Sequence, residues 1–226
     1  ATASAAMTNL EKAHIPYALS IGNHDTRAVG WDGKGGYGGS AYVYNPECQQ
    51  KFGNDCDTRT LLRQTQEFND VFTAERYGNV RGEQTQGKVD NSWSSYMAGG
   101  KRWLVITLEL WPRPEMVDWA KQVVAAHPHA NVIVQTHHYL TKDGAIAEQD
   151  GGYGDTSPRY LEKNLISRYP NIKMVLSGHL AQTAHRVDTY RVDTGRGTVA
   201  NKVVSIMGTF HAGKPHDPVQ IVDVDT

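Results

Sequence analysis

Short apolar runs that end abruptly in polar residues recur along this chain. Residues 16–21 (PYALSI), 131–136 (NVIVQT) and 172–177 (IKMVLS) each have the length of a strand and are mostly apolar. Apolar runs of about four to eight residues that are bounded by turn residues are typical of buried strands. The pattern therefore predicts three buried strands, and it predicts a helix over residues 2–13 before the first of them.

The rest of the chain alternates between helical and strand patterns. Residues 92–98 and 102–108 flank Gly99-Gly100, a turn signal between two β-branched and aromatic runs, and so predict a β-hairpin. No linker-like change of composition divides the chain, so residues 1–226 are predicted to form one α/β domain with two packed sheets. The other predicted elements are helices at 64–73, 113–127 and 158–169, and strands at 184–192, 199–207 and 219–224.

Charge narrows the range of partners. The chain has 23 basic and 24 acidic residues, which nearly cancel. This balance disfavours a broad electrostatic surface for nucleic acid or for an anionic membrane. No apolar run approaches the roughly 20 residues that a membrane-spanning helix needs. A small-molecule ligand is therefore the expected partner.

Two cysteines lie in a long polar loop predicted over residues 22–63. Cys48 and Cys56 are close enough in sequence for the loop to close on a disulfide, and two free thiols are the alternative. Disulfides persist in oxidising compartments. A Cys48–Cys56 bridge would therefore indicate an extracellular or secreted protein.

Chemically capable side chains follow each of the three predicted buried strands. The first strand ends in Gly22-Asn23-His24-Asp25, the second in His137-His138, and the third in Gly178-His179. In open α/β sheets, ligands bind beyond the carboxyl ends of the strands. One such cluster alone is also typical of a turn or of a structural histidine. Three clusters at three strand ends instead favour a transition-metal site built from imidazole and oxygen ligands.

These motifs resemble those of the calcineurin-like metallophosphoesterases. The order and spacing of Gly22-Asn23-His24-Asp25, His137 and Gly178-His179 are similar to the third, fourth and fifth motifs of that family. The resemblance covers nearly the whole chain, and the Gly-Asn-His-Asp motif is its most specific part. It implies a pair of mixed β-sheets flanked by helices, with a dinuclear centre of Mn, Fe or Zn at the strand ends.

The resemblance also implies roles for individual residues. Asn23, His137 and His179 would bind the second of the two metal ions. His24 would face the phosphoester, either to stabilise the transition state or to protonate the leaving oxygen. Asp25 would accept a hydrogen bond from His24 and so fix the tautomer of that imidazole, as second-shell carboxylates do.

This sequence departs from the family pattern in two ways. The Asp-x-His motif and a Gly-Asp motif in the right chain order are absent, so the chain is expected to lack its N-terminal strands. The usual Gly-His-x-His motif has Ala181 in place of its second histidine. The first metal would then lose its ligands, unless His185 or His211 replaces one. His138, His185 and His211 are alternatively expected to contact substrate, although a solvent-facing role is equally open for His138.

The sequence thus predicts a metal-dependent hydrolase of phosphomonoesters or phosphodiesters that is impaired in this chain alone, with one metal ion or none. A catalytically inactive remnant of the phosphoesterase fold, or a binding module, is the alternative. Missing strands would leave sheet edges unpaired, and exposed edges favour association. A homodimer through such an edge is therefore a further expectation.

Overall fold

A seven-stranded mixed sheet organises the computed structural model, which describes residues 2–28, 53–151, 154–180, 182–208 and 221–224. The strand order is β1-β2-β3-β4-β5-β7-β6. The strands are β1 (Val80–Glu83), β2 (Ser92–Ala98), β3 (Lys101–Thr107), β4 (Asn131–Gln135), β5 (Ile172–Ser177), β6 (Thr183–Asp193) and β7 (Thr198–Gly208). The predicted α/β class is confirmed.

Parallel pairing occupies the middle of the sheet and antiparallel pairing its two sides. Strand β4 pairs with β3 and β5 in parallel, and β5 pairs in parallel with β7. The predicted hairpin forms between β2 and β3 through Gly99-Gly100, both of which have positive φ. Strands β1 and β6 are the edges of this sheet. A homodimer through one of them stays a prediction.

Most of the α-helices in the described residues are short. The α-helices are α1 (Thr2–Lys12), α2 (Thr58–Leu62), α3 (Gln66–Val71), α4 (Ala74–Tyr77), α5 (Pro114–Ala126) and α6 (Pro158–Asn164), of which α1 and α5 are the two long ones. Pro114 and Pro158 each stand in the first turn of their helix, where proline is well tolerated. Within the ranges described above, none of these helices has the length and apolar character required to cross a membrane.

Helices α5 and α6 cover one face of the sheet and build the main core with it. Strand alternation sends Leu104 and Ile106 of β3 and Val132 and Val134 of β4 toward this face. Val117 on α5 packs against them, and all five residues are fully buried. This layer holds β3, β4 and β5 in fixed register, so the segments that follow these strands have a rigid base.

The opposite face of the sheet carries a smaller apolar cluster of Trp103, Ile133 and Met174. Residues 16–18 and residues 222–224 line two cavities on this face, with volumes of about 310 and 380 Å³. Extended segments therefore lie over this face, and the described residues contribute no second sheet to it.

Two predicted strands are wrong in the part of the chain that is described. Residues 16–21 do not pair as a strand, and neither do residues 221–224 of the predicted strand 219–224. Residues 16–18 line a cavity on the face of the sheet, and Tyr17, Leu19 and Ile21 pack in a cluster with Phe68 and Phe72. The side-chain amide of Gln135 donates a hydrogen bond to the Ala18 carbonyl at 3.2 Å instead.

Replacing Leu104 with alanine is expected to destabilise the fold by about 2–5 kcal/mol, because it removes buried apolar contacts and leaves a cavity in the main core. Urea unfolding monitored by circular dichroism measures the change. Met97→Ala is the control, because Met97 lies in the same hairpin and is 62% exposed. Equal losses in the two variants would show that this layer is not the core that supports the sheet.

Candidate metal centre

Three parallel strands end at the same edge of the sheet, and each is followed by residues of the candidate site. Strand β3 leads into Glu109 and Trp111, β4 leads into His137 and His138, and β5 leads into Gly178-His179. The backbone N–H of Gly178 donates to the carbonyl of His137 at 2.8 Å. The parallel ladder therefore continues one step beyond β4 and β5 and joins the two histidine segments.

The structure brings together the three residues predicted to share a metal ion. Asn23 lies in a 3₁₀ turn, Asn23–Asp25, and is 5% exposed. Its Oδ1 atom is 3.1 Å from Nε2 of His137. The ring of His137 meets the ring of His179 nearly edge-on, with 5.0 Å between centroids. Residues far apart in sequence thus converge, although Asn23 follows an unpaired segment and not a strand of the sheet.

Gly22 permits the close approach of the turn to His137. A β-carbon at position 22 would lie 2.8 Å from both Cε1 and Nε2 of His137, which is closer than side chains tolerate. The φ of Gly22 is −104°, a value that any residue can adopt. Glycine is therefore required here for space and not for backbone conformation.

Among the described contacts Asp25 bonds to the backbone and not to His24, so the hydrogen bond between Asp25 and His24 stays a prediction. Oδ2 of Asp25 accepts from the backbone N–H of Gly22 at 3.0 Å, because the 3₁₀ turn folds the carboxylate back onto its own start. Loss of water around the carboxyl group raises the pKa of Asp25, while the Gly22 N–H and the nearby His24 oppose the shift. His24 itself is exposed. Its role toward a phosphoester stays a prediction.

His138 points away from solvent and is held by an indole. It is 8% exposed, and its Nδ1 accepts a hydrogen bond from Nε1 of Trp111 at 2.9 Å. Nε2 of His138 is buried and has no hydrogen-bond partner among the described residues. Burial, together with the neighbouring His179, lowers the pKa of His138 to about 4, and the Leu140 backbone opposes the shift. The imidazole is therefore neutral at neutral pH.

Trp111 is a central residue of this site that the sequence patterns did not single out. Its ring lies nearly perpendicular to the rings of both His138 and His179, with centroid distances of 5.7 and 5.6 Å. Trp111 and His179 both have positive φ, 46° and 73°, which bulky residues adopt rarely. Backbone strain of this kind is often found at functional sites. The signal available in the sequence was position, since Trp111 follows β3 just as His137 follows β4.

Several contacts hold Trp111 in place. Arg63 donates to the carbonyls of Leu110 and Trp111 at 2.9 and 2.7 Å, and its Nε donates to Asp155 at 2.9 Å. A β-carbon on Gly154 would lie 2.6 Å from Cβ of Trp111, so the loop containing Asp155 packs tightly against the indole. Trp111 is consequently 1% exposed and has little freedom to move.

Glu109 anchors the start of the same segment. It is 2% exposed and receives hydrogen bonds from Asn91 at 3.0 Å and from Nε of Arg113 at 2.9 Å. Arg63 approaches Glu109 to 3.4 Å. Burial acts to raise the pKa of Glu109, but Arg113 and Arg63 outweigh burial and the pKa is lowered. Glu109 is therefore ionised, and its charge is compensated within the protein.

Other candidate residues are not brought to this cluster. His185 is exposed on the edge strand β6, opposite Ile206 of β7, so alternation directs it to solvent and the described contacts do not join it to His137 or His179. Ala181 and His211 lie outside the described residues, as does Cys48. Cys56 is not a free thiol and packs beside the buried Leu61 and Leu62. The Cys48–Cys56 pairing and a secreted location stay predictions.

The donor atoms of Asn23 and His137 fit a transition-metal ion. Two ligands bound at about 2.0–2.2 Å lie about 3 Å apart at right angles and about 3.4 Å apart in a tetrahedral site. The observed separation of Oδ1 and Nε2 is 3.1 Å, which is also a hydrogen-bond distance. Imidazole and amide oxygen suit Zn, Fe or Mn. Within the described ranges, however, no three His, Cys, Asp or Glu side chains group in a way that could hold a metal ion. The fit therefore depends on the amide of Asn23 in addition to the two imidazoles.

Comparison with known proteins identifies the class. The model of the calcineurin-like phosphoesterase family matches residues 2–182, and the chain belongs to that family. The chain is 24% identical over 216 residues to the uncharacterized protein YvnB of Bacillus subtilis (strain 168), a match that covers 93% of this chain and 13% of the relative. It is also similar to the solved structure of purple acid phosphatase PPD1 from yellow lupin (Lupinus luteus) seeds. That similarity has 16% identity and a TM-score of 0.41, and covers 91% of this chain and 34% of the phosphatase.

Gly22→Ala is expected to destabilise the protein by about 1–3 kcal/mol, because the added methyl group would overlap the His137 ring. The cost should largely disappear in a His137→Ala background, where the ring is absent. Urea unfolding of the wild type, both single variants and the double variant gives this coupling directly. Equal costs of Gly22→Ala in both backgrounds would contradict the close packing of the turn on His137.

Glu109→Gln is expected to cost about 3 kcal/mol at neutral pH, because it leaves Arg113 and Arg63 beside an uncharged group. The folded-state pKa of Glu109 lies below the ordinary value of 4.5, so its carboxylate stabilises the fold above that pH. The difference from wild type should therefore shrink as the pH falls below about 4.5.

Urea unfolding at neutral and acidic pH measures this difference. Glu67→Gln is the matched control, since Glu67 forms an exposed ion pair with Arg27 that contributes about 0–1 kcal/mol. A cost of Glu109→Gln that did not vary with pH would show that the effect is one of shape and not of charge.

Proposed function

We propose that this chain carries part of the catalytic centre of a metal-dependent hydrolase of phosphomonoesters or phosphodiesters. The observation that carries the proposal is the convergence of Asn23, His137 and His179 at one edge of the sheet. Membership of the calcineurin-like phosphoesterase family supports the reaction class.

Asn23 Oδ1 and the imidazoles of His137 and His179 would hold the metal ion. When bound, a divalent ion in such a site supplies Lewis-acid polarisation of a phosphoryl oxygen and lowers the pKa of water. The protein's own contribution is position, because the parallel strands β4 and β5 fix the two histidine segments relative to each other. Close packing of Gly22 on the His137 ring also fixes the turn that carries Asn23.

His24 would act on the substrate and not on the metal. It follows Asn23 directly in the 3₁₀ turn but is exposed, so its imidazole is available to a ligand that enters from solvent. A positioned imidazole can donate a proton to a leaving oxygen or stabilise charge on a phosphoryl group. Asp25 would support this role through its charge, since the two groups interact electrostatically.

A second function is a non-catalytic module that retains the fold. Two observations favour it over full activity. The described residues contain no group of three His, Cys, Asp or Glu side chains suited to a metal ion, and Ala181 replaces the second histidine of the family motif. The chain spans 13% of the length of its Bacillus relative, so the activity of a whole protein is a separate question from that of this chain.

Metal binding and hydrolysis by the chain separate the two functions. We expect Zn²⁺ or Mn²⁺ to bind in calorimetry, and we expect His137→Ala to weaken binding at least about tenfold because one of the imidazole ligands is lost. Hydrolysis of p-nitrophenyl phosphate and of bis-p-nitrophenyl phosphate should fall in parallel. His129→Ala is the matched control, because His129 is an exposed turn residue remote from the cluster in the sheet.

Each outcome has a distinct meaning. Metal binding that depends on His137 together with hydrolysis supports the enzyme. Metal binding that depends on His137 without hydrolysis of either ester supports the non-catalytic module. Binding that is equal in His137→Ala, His129→Ala and the wild type would refute the proposed site itself.

A further inference from the structure

Adjacent histidines at the end of β4 make different contacts. His137 directs Nε2 at Asn23 Oδ1, whereas His138 directs Nδ1 at the indole N–H of Trp111. An indole N–H can only donate, so Nδ1 of His138 must accept. A neutral imidazole that accepts at Nδ1 carries its proton on Nε2. The contact with Trp111 therefore selects one tautomer of His138.

This tautomer has a chemical consequence. A nitrogen that bears a proton cannot bind a metal ion, since metals bind the neutral imidazole through its lone pair. Nε2 of His138 is instead a hydrogen-bond donor. It is buried, and although the Leu140 backbone lies near the imidazole, no described residue is within hydrogen-bonding geometry of Nε2. Buried donors without an acceptor cost free energy, which an incoming oxygen atom would recover.

We propose that Trp111 is a positioning residue that fixes His138 as an Nε2–H donor to a phosphoryl oxygen, which leaves metal binding to His137. The inference rests on the proposed function, because the oxygen belongs to a phosphoester or to free phosphate bound at the same cluster. Its geometric basis is the 4.9 Å centroid distance between His138 and His179. His138 thus borders a predicted metal ligand without sharing its role.

The surroundings of Trp111 suit a residue whose orientation matters. Its backbone is held by Arg63, its ring is enclosed by Gly151 and Gly154, and its φ is positive. A β-carbon on Gly151 would come within 2.8 Å of the indole ring. Strain and close packing therefore fix the direction of the indole N–H, and with it the tautomer of His138.

The tautomer can be tested without metal or substrate. Long-range ¹H–¹⁵N correlation spectra of the chain distinguish protonated from unprotonated ring nitrogens. We expect His138 to show Nε2–H in the wild type and a mixture of tautomers in Trp111→Phe, which keeps an aromatic ring but loses the donor. Trp119→Phe is the matched control, because Trp119 packs against the main core. An Nδ1–H tautomer in the wild type would overturn the proposal.

Calorimetric measurement of Zn²⁺ binding and of inorganic phosphate binding completes the test. We expect His138→Ala and Trp111→Phe to weaken phosphate binding about tenfold, the loss of one hydrogen bond, while Zn²⁺ binding is kept. His138→Gln, which retains a donor, should restore part of the phosphate affinity. Circular dichroism and urea unfolding show whether each variant is folded.

The possible failures are distinguishable. Loss of Zn²⁺ binding in His138→Ala as large as that in His137→Ala would overturn the assignment of His138 as a donor. Phosphate affinity that is unchanged in His138→Ala, or absence of phosphate binding to the wild type, would overturn it as well. Failure of the proposed function has another signature, namely Zn²⁺ binding that does not depend on His137.

Discussion

Parallel pairing of β3, β4 and β5 is the constraint on which the site depends, because it places three chain segments at one edge of the sheet. Parallel strands need crossover connections, and α5 and α6 supply these on the apolar face. The same helices bury the residues that keep the strands in register. A shift of one residue in the register of β4 would turn Val134 from the apolar face of the sheet to the opposite face. The same shift would move His137 away from Asn23.

Rigid support then extends from the sheet to the histidines through charged and aromatic residues. Glu109 is fixed by Arg113, and Arg63 links Glu109 to the carbonyls of Leu110 and Trp111. Trp111 in turn holds His138. Each residue in this series is held by buried contacts and in turn holds the next residue. The orientation of His138 is therefore determined by contacts that begin at the end of β3. Loop residue Asp155 joins the same network through Arg63.

Sequence patterns predicted the sheet and the convergence of its strand ends, because apolar alternation and short apolar runs reflect burial directly. Helix α1, the hairpin and β4 to β7 follow these patterns closely. Residues 16–21 have the composition of a strand, yet Tyr17, Leu19 and Ile21 pack in a side-chain cluster with no ladder pairing, and composition cannot distinguish the two. The role of Trp111 depends on its hydrogen bond to His138 and on its close packing against Gly151 and Gly154, which lie more than 35 residues away in sequence. Local sequence patterns do not reveal such long-range contacts.

Charge balance at the proposed metal centre would make metal binding and substrate binding depend on each other. Asn23, His137 and His179 would be neutral ligands in the proposed site, so a divalent ion bound by them would keep its full positive charge. Glu109 offers no compensation, because Arg113 and Arg63 already neutralise it. Asp25 is ionisable within the turn, and burial raises its pKa, which disfavours its charged form. A phosphoester carries the negative charge that this arrangement lacks, so the metal ion and an anionic substrate should each favour the binding of the other.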